Sequence, residues 1–294
     1  MIGLLLNLIT STLRSATPLL LVALGGTFSE RTGVVNIALE GIMMIGAWFA
    51  VYGSYTTGSA LAGVGLAMVA GLVIASIHAV ASVHFQANQV VSGTAINLLA
   101  AGFTEFFMVK VWGGQSPRVA TIPSVGPEWF HLNLFVYVAF ALAIGAWYAI
   151  YRTPWGLRLR AVGEHPKAAE TVGVSVYKMR YWGVLLSGLF AGLAGASLSI
   201  GLVSGYSSGM TAGRGFIGLA AMIFGKWNPI GAIWACMLFG AADGLGTLLQ
   251  IRGIPVPYEF MVMAPYVVTM LALAGVVGRS TPPAASGMPY EKNH

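Results

Sequence analysis

GIMMIGAWFAVYGSYTTGSALAGVGLAMVAGLVIASIHAVASVHFQANQVVSGTAINLLAAGFT, residues 41–104, contains no Asp, Glu, Lys or Arg. Glu40 and Glu105 bound these 64 residues. A helix that crosses a bilayer needs about 20 apolar residues, so the stretch has room for two to three crossings. Further charge-free runs occupy 129–151, 181–213, 227–242 and 260–278. Together they predict spans near 3–28, 33–55, 61–84, 89–111, 132–151, 181–201, 230–250 and 258–277. Residues 214–225 form a ninth apolar piece, too short to cross alone, punctuated by Gly213, Gly215, Gly218 and Gly225 and ended by Asn228-Pro229. Such a piece is expected as a half-helix or re-entrant segment, lined by protein or by a water-filled cavity. The expected fold class is all-α: a polytopic membrane helix bundle of about 8 to 9 spans plus this short segment.

Composition agrees. Of the 294 residues 57% are hydrophobic and 8% are charged, against about 25% charged in soluble domains. That excludes a soluble enzyme, a nucleic-acid-binding module and a disordered chain. The single cysteine, Cys236, excludes an intrachain disulfide scaffold. The N-terminus has no basic region before its apolar stretch and is expected to be a retained span rather than a signal peptide.

The formal charge of +6 is a topology signal. Segment 152–180 holds Arg152, Arg158, Arg160, Lys167, Lys178 and Arg180, six of the fifteen basic residues. Basic loops stay on the cytoplasmic side. Segments 112–131 and 202–213 are then expected outside, and Arg279 and Lys292 put the C-terminus in the cytoplasm. Trp112, Trp129, Trp155 and Trp182 fall near span ends, where aromatic belts form. The expected organisation is one transmembrane domain, 1–278, with a cytoplasmic loop at 152–180. A short cytoplasmic tail, 279–294, is expected to be disordered.

Signatures of covalent chemistry are absent. Gly225-Lys226 is followed by Trp227, so no ATP-binding P-loop exists in this chain. The five histidines, His78, His84, His131, His165 and His294, show no metal-ligand spacing. Neither a cofactor nor a metal is expected. One Gly-x-Ser-x-Gly occurs at 205–209, in a Gly-rich loop without the strand–turn–helix that a nucleophile elbow needs. An intramembrane serine protease using Ser207 is the enzyme alternative.

Ionisable groups within apolar spans cost roughly 2.5–3.5 kcal/mol on insertion scales and mark function. Glu40, Glu105, Lys226 and Asp243 are such groups. Asn36 lies one helical turn from Glu40, and Asn97 shares a stripe with Thr104 beside Glu105. Gln89 opens its span, and Asp243 shares a face with Gln250. The set reads as the lining of a path for a small polar solute. The alternatives are interhelical polar glue and an ion-driven secondary transporter using Glu40, Glu105 and Asp243. Glycines four apart, at 201, 205, 209 and 213, at 188 and 192, and at 240 and 244, read as close helix packing.

The sharpest local signal is Gly163-Glu164-His165-Pro166-Lys167-Ala168-Ala169-Glu170-Thr171-Val172-Gly173. Pro166 suits a first helical position, and Gly173 suits the left-handed residue that ends a helix. A two-turn helix on the basic loop is expected. Ala168 and Ala169 are small enough to let it sit in a partner's groove, and Glu164, Lys167 and Glu170 offer both signs of charge.

Three stretches carry a family resemblance. They are FSERTGVVNIALEGIM at 28–43; RTPWGLRLRAVGE at 152–164, continuing through Gly173 to YKMRY at 177–181; and GFIGLAAMIFGKWNPIGA at 215–232. In this order they resemble the permease subunits of bacterial ABC importers for branched-chain amino acids, ribose-type sugars and nucleosides, closest to the nucleoside type. The resemblance implies a multi-pass bacterial cell-membrane protein translocating a nucleoside by alternating access, with branched-chain amino acids or a pentose as alternatives. It implies ATPase subunits that hold the ATP, a second permease subunit in a heterodimer, and an extracytoplasmic solute-binding lipoprotein. The 163–173 segment is then the coupling helix. Asn36, Glu40, Gln89, Asn97 and Phe103 are then candidate partners for a base and a ribose.

Overall fold

The computed structural model describes residues 2–127, 131–251 and 280–291, with Met263, Val267 and Met270. The helices are α1 (Ile2–Glu30), α2 (Leu39–Thr57), α3 (Ala60–Ala79), α4 (Gln89–Trp112), α5 (Leu134–Arg152), α6 (Pro154–Glu164), α7 (Pro166–Thr171), α8 (Val176–Ala196), α9 (Arg214–Phe224) and α10 (Pro229–Ile251). Wider, π-type turns extend α3 through Val80–His84 and α8 through Ser197–Val203. Before α5, Ser124–Val125 (β1) pairs antiparallel with Leu132–Asn133 (β2). Among the described residues, six helical stretches are long and apolar enough to cross a membrane: Leu5–Glu30, Ala60–His84, Gln89–Trp112, Leu134–Arg152, Val176–Val203 and Pro229–Gly246. The bundle is thus all-α and polytopic. The expected span at 258–277 lies outside the described residues.

α2, α3 and α8 pack against one another, and glycine sets how closely. A Cβ on Gly46 of α2 would lie 2.7 Å from the Cα of Gly192 in α8. Gly188 and Gly192 of α8 also meet the α3 backbone at Gly71 and Ala67. Gly240 and Gly244 of α10 lie against α1 at Thr12, Ala16 and Ser11. These pairs do what their four-residue spacing predicts. Gly205, Gly209 and Gly213 do not: they lie in the loop that follows α8, where Gly209 and Gly213 take positive φ. Sequence spacing alone does not distinguish a helical face from a glycine-rich loop.

The expected span 33–55 is corrected in its first part. The chain makes a turn at Gly33 (φ +89°) and reaches Leu39 before α2 begins. The half-helix is α9, eleven residues long, as its length and glycines predict. Within 152–180 the structure adds α6 to the expected short helix. Thr153 caps it by accepting from Gly156 N–H at 3.1 Å, with Pro154 at its first turn.

Residues 280–291, expected to be disordered, are docked. Pro283, Ala285 and Tyr290 are buried. Ala285 N–H donates to Gly163 C=O at 2.9 Å, Gly287 N–H to Gly33 C=O at 3.1 Å, and the Arg180 Nη1 to Met288 C=O at 2.9 Å. The few apolar groups of the tail find a surface made by α6, α7, α8 and the Gly33 turn, which composition alone does not reveal.

Candidate functional site

Two interrupted stretches meet inside the bundle: the non-helical segment before α2, and α9. Non-helical backbone at such depth must find partners for its N–H and C=O groups. Here side chains supply them. Val35 N–H donates to Gln89 Oε1 at 2.7 Å. The Val35 carbonyl lies 3.1 Å from His78 Nε2, whose Nδ1 is 3.0 Å from the Ser92 hydroxyl. A carbonyl only accepts, so this arrangement puts the proton on Nε2 and leaves Nδ1 to accept from Ser92. Asn97 Nδ2 donates to Ile37 C=O at 3.0 Å, and its Oδ1 accepts from Gly41 N–H at 2.8 Å. Asn36 donates to Ser187 Oγ at 2.6 Å and accepts from Ala38 N–H at 3.1 Å.

Glu40 joins the two stretches. Its carboxylate accepts from Gly213 N–H at 3.0 Å and Gly215 N–H at 2.6 Å, at the N-terminus of α9. Both the unpaired donors and the positive end of the helix dipole favour an anion there. Gly215 is required for the approach, because a Cβ would lie 2.5 Å from Glu40 Cα. Next to it Arg214 pairs with Asp243 of α10 at 3.7 Å.

The far end of α9 is held just as specifically. Lys226 and Trp227 both take positive φ, 55° and 52°, a conformation that is strained for non-glycine residues. The end of α1 clamps them. Trp227 Nε1 donates to Glu30 Oε2 at 2.6 Å, and Arg31 Nε donates to Trp227 C=O at 2.9 Å. Arg31 also reaches Lys226 C=O and the Tyr151 hydroxyl.

The structure therefore brings Asn36, Glu40, Gln89 and Asn97 together, and links Asp243 to them through Arg214. In this conformation the first four serve the backbone of residues 35–41 and of α9. Phe103 sits apart. It is stacked on Phe49 with ring centroids 5.9 Å apart and meets Trp48 edge-on, in an aromatic cluster between α2 and α4. Glu105 is exposed on α4 and accepts from the Ser208 hydroxyl of the loop after α8. Ser207 of the same loop is exposed.

Sequence reading missed Glu30, Arg31, His78 and Trp227. Glu30 and Arg31 lie within the resemblance stretch 28–43 and Trp227 within 215–232, but nothing local says that they meet across 196 or 197 residues.

At the basic end of the bundle, α7 runs Pro166–Thr171, as its sequence predicts, and Gly173 takes φ +81°. Its orientation corrects one expectation. Ala169 does not face outward: it is buried with Val162, Val176 and Tyr290. Lys167, Ala168, Thr171 and Val172 form the exposed side. Glu164 accepts from Ala284 N–H at 3.3 Å, and Glu170 accepts from the Tyr290 hydroxyl. Between α7 and the tail lies a cavity of about 670 Å³, with His165, Pro166 and Lys167 along one wall and Met288 and Pro289 along the other.

Residues 8–275 match the family described as branched-chain amino acid transport system / permease component. A match over so much of the chain, on a bundle of this kind, makes the chain a member of that family. It is a multi-pass membrane permease and not an enzyme. Among curated relatives it is 44% identical to the guanosine ABC transporter permease protein NupQ of Bacillus subtilis, covering 97% of this chain and 96% of that one. It is 42% identical to the nucleoside ABC transporter permease protein NupC of Lactococcus lactis, covering 95% and 94%. A second B. subtilis relative, the guanosine ABC transporter permease protein NupP, is 28% identical over 91% and 83%. The solved structure of PsaBC from Streptococcus pneumoniae in complex with Fab shares the fold, with a TM-score of 0.51, 15% identity and 90% coverage of each chain.

Proposed function

We propose that this chain is the membrane-spanning subunit of an ATP-driven ABC importer and that its solute is a nucleoside. The observation that carries the substrate is the near-full-length similarity, above 40% identity, to two permeases named for guanosine and for nucleosides. The remaining assembly follows from the same reading. ATPase subunits bind the α7 end and hold the ATP. An extracytoplasmic lipoprotein delivers solute to the opposite end. A second, different permease completes the path, in keeping with two guanosine permeases in one B. subtilis strain.

The basic loop supports a cytoplasmic position for α6, α7 and the tail. On this reading α2 crosses as well, and with the span expected from the sequence at 258–277 the number is about eight. Residues 1–278 then form one transmembrane domain.

Transport proceeds by alternating access. ATP binding moves α7, the two permeases rock, and the solute path opens to one side at a time. Net import requires that the two states hold solute with different affinity. Asn36, Glu40, Gln89 and Asn97 fix the two interrupted stretches whose rearrangement changes that affinity. With Phe103, Glu105 and Asp243 they border the path. Glu40 is the central member, because its carboxylate holds α9 by the two N–H groups that would be released if α9 moved.

Uptake of labelled guanosine into vesicles carrying the complete importer tests the reading. ATP-dependent uptake that adenosine suppresses, and that leucine and ribose leave unchanged, is the expected result. Suppression by leucine or by ribose would reassign the solute. Uptake driven by an ion gradient without ATP would remove the ABC reading.

A further inference from the structure

We propose that residues 283–290 act as a strap that carries the movement of α7 directly to the interrupted segment before α2. The proposal rests on the reading of α7 as the ATPase-coupling helix.

The strap is continuous in hydrogen bonds. On one side it is fastened to the coupling region: Ala285 N–H to Gly163 C=O at 2.9 Å, Ala284 N–H to Glu164 at 3.3 Å, and the Tyr290 hydroxyl to Glu170. On the other it is fastened to elements that shape the candidate site. Gly287 N–H donates to the carbonyl of Gly33, two residues before Val35. Gln86 Nε2 donates to Tyr290 C=O at 3.0 Å, three residues before Gln89, which holds Val35 N–H. Arg180, on the first turns of α8, donates to Met288 C=O and lies under the Tyr290 ring, 5.8 Å from its centroid.

Packing favours the strap as the link. α7 has one buried residue, Ala169, and the tail's Tyr290 shares its cluster. The exposed Lys167, Ala168, Thr171 and Val172 leave that side open to a partner. A push on the open side is therefore received by Ala169 and Glu170 and passes into Tyr290 and then to Gln86 and Gly33. Arg180 makes release of the tail feasible. Among the described residues its Nε and Nη2 are buried without hydrogen-bond partners, and such groups regain partners when exposed to water.

Solvent labelling of the segment tests this without reference to any solute. The complete importer is prepared with Val35→Cys as the reporter and Cys236→Ala to remove the native thiol. The labelling rate of the reporter by a small maleimide is then compared with and without ATP and vanadate. In the intact strap a nucleotide-dependent change of several-fold is expected. Tyr290→Phe, which removes one hydroxyl, and a chain ending at Thr281 are each expected to retain bound ATPase and basal hydrolysis while losing most of that change. A full nucleotide response in the shortened chain with ATPase bound overturns the strap. Tyr290→Phe serves as the variant that leaves the backbone bonds intact, and a response equal to that of the unaltered strap overturns the Glu170 link. Guanosine uptake by the unaltered importer is measured in parallel. Its failure would remove the nucleoside assignment and leave the labelling comparison intact.

Discussion

The carboxylate of Glu40 accepts the backbone N–H of Gly215 at 2.6 Å, across 175 residues of sequence. One residue at the start of α2 therefore fixes the open end of a half-helix that reaches it much later in the chain. Glu40→Gln keeps the shape and removes the charge. One amide end then offers N–H groups to N–H groups. Charge-assisted bonds are worth about 1.5–3 kcal/mol each, so uptake should fall at least tenfold. Uptake and the apparent melting temperature of the purified complex check it; wild-type values in both would remove Glu40 from the centre of the site.

Gly215→Ala should be worse than Glu40→Gln, because the added Cβ meets backbone rather than a movable side chain. Gly102→Ala is the control, since nothing among the described residues lies within 4 Å of a Cβ there. Yield of monodisperse protein after membrane extraction separates the two. The expectation is a severe loss for Gly215→Ala and no change for Gly102→Ala.

Ala168→Trp and Ala169→Trp should differ in kind. Ala168 is exposed, so the larger ring keeps the fold and obstructs the ATPase, lowering the amount that co-purifies. Ala169 is 4% exposed and touches the tail's cluster. There the ring displaces Tyr290, and protease sensitivity within 280–291 should rise. Equal behaviour of the two would contradict the orientation of α7.

Asn97→Leu removes the partners of Ile37 C=O and Gly41 N–H together. A buried backbone group left unpaired costs about 1–3 kcal/mol. The variant should therefore lose stability as well as transport. Thr94→Leu, one turn away on the exposed side of α4, should lose neither. An Asn97→Leu protein that is fully stable but altered only in solute preference would show direct solute contact instead.

The strap should be indifferent to pH near neutrality. Burial, then the Glu170 carboxylate, pushes the Tyr290 hydroxyl up to about 12 from its ordinary value of 10.0; Tyr177 and Arg180 also face it. A raised docked value means that the contribution is complete below the undocked value and is lost as pH rises through about 12. Protease protection of 280–291 should not change with Tyr290 ionisation between about pH 6 and pH 9. A loss of protection in that range that Tyr290→Phe abolishes would refute this.

Much of the bundle is written in the spacing of its charges. Charge-free runs cover most of α2, α3, α4, α5, α8 and α10, the span over α1 was legible despite Arg14, and the short glycine-marked piece at 214–225 found α9. The start of α2 was hidden because Val34, Val35 and Ile37 look the same in an extended buried segment as in a helix. Asn36, Glu40, Gln89 and Asn97 stood out because polar groups are rare in such runs. Their partners did not, since backbone N–H and C=O leave no mark in sequence. The inward turn of Ala169 had the same cause: a six-residue helix has too little periodicity to show which side is buried. The tail was misjudged because its anchors, Pro283, Ala285 and Tyr290, are too few to read as a packed segment without the surface they meet.

The distance between Glu40 and its partners has a consequence for synthesis. A ribosome adds about 5–20 residues per second, so some 10–35 s pass between the emergence of Glu40 and that of Gly215. Throughout that interval the acidic group of α2 lacks the amides that later hydrogen-bond it. Membrane insertion of α2 must then be sheltered or delayed until α9 arrives. The same carboxylate that organises the finished protein is a liability during its biogenesis, and slowing translation between residues 41 and 213 should lower the yield of inserted chain.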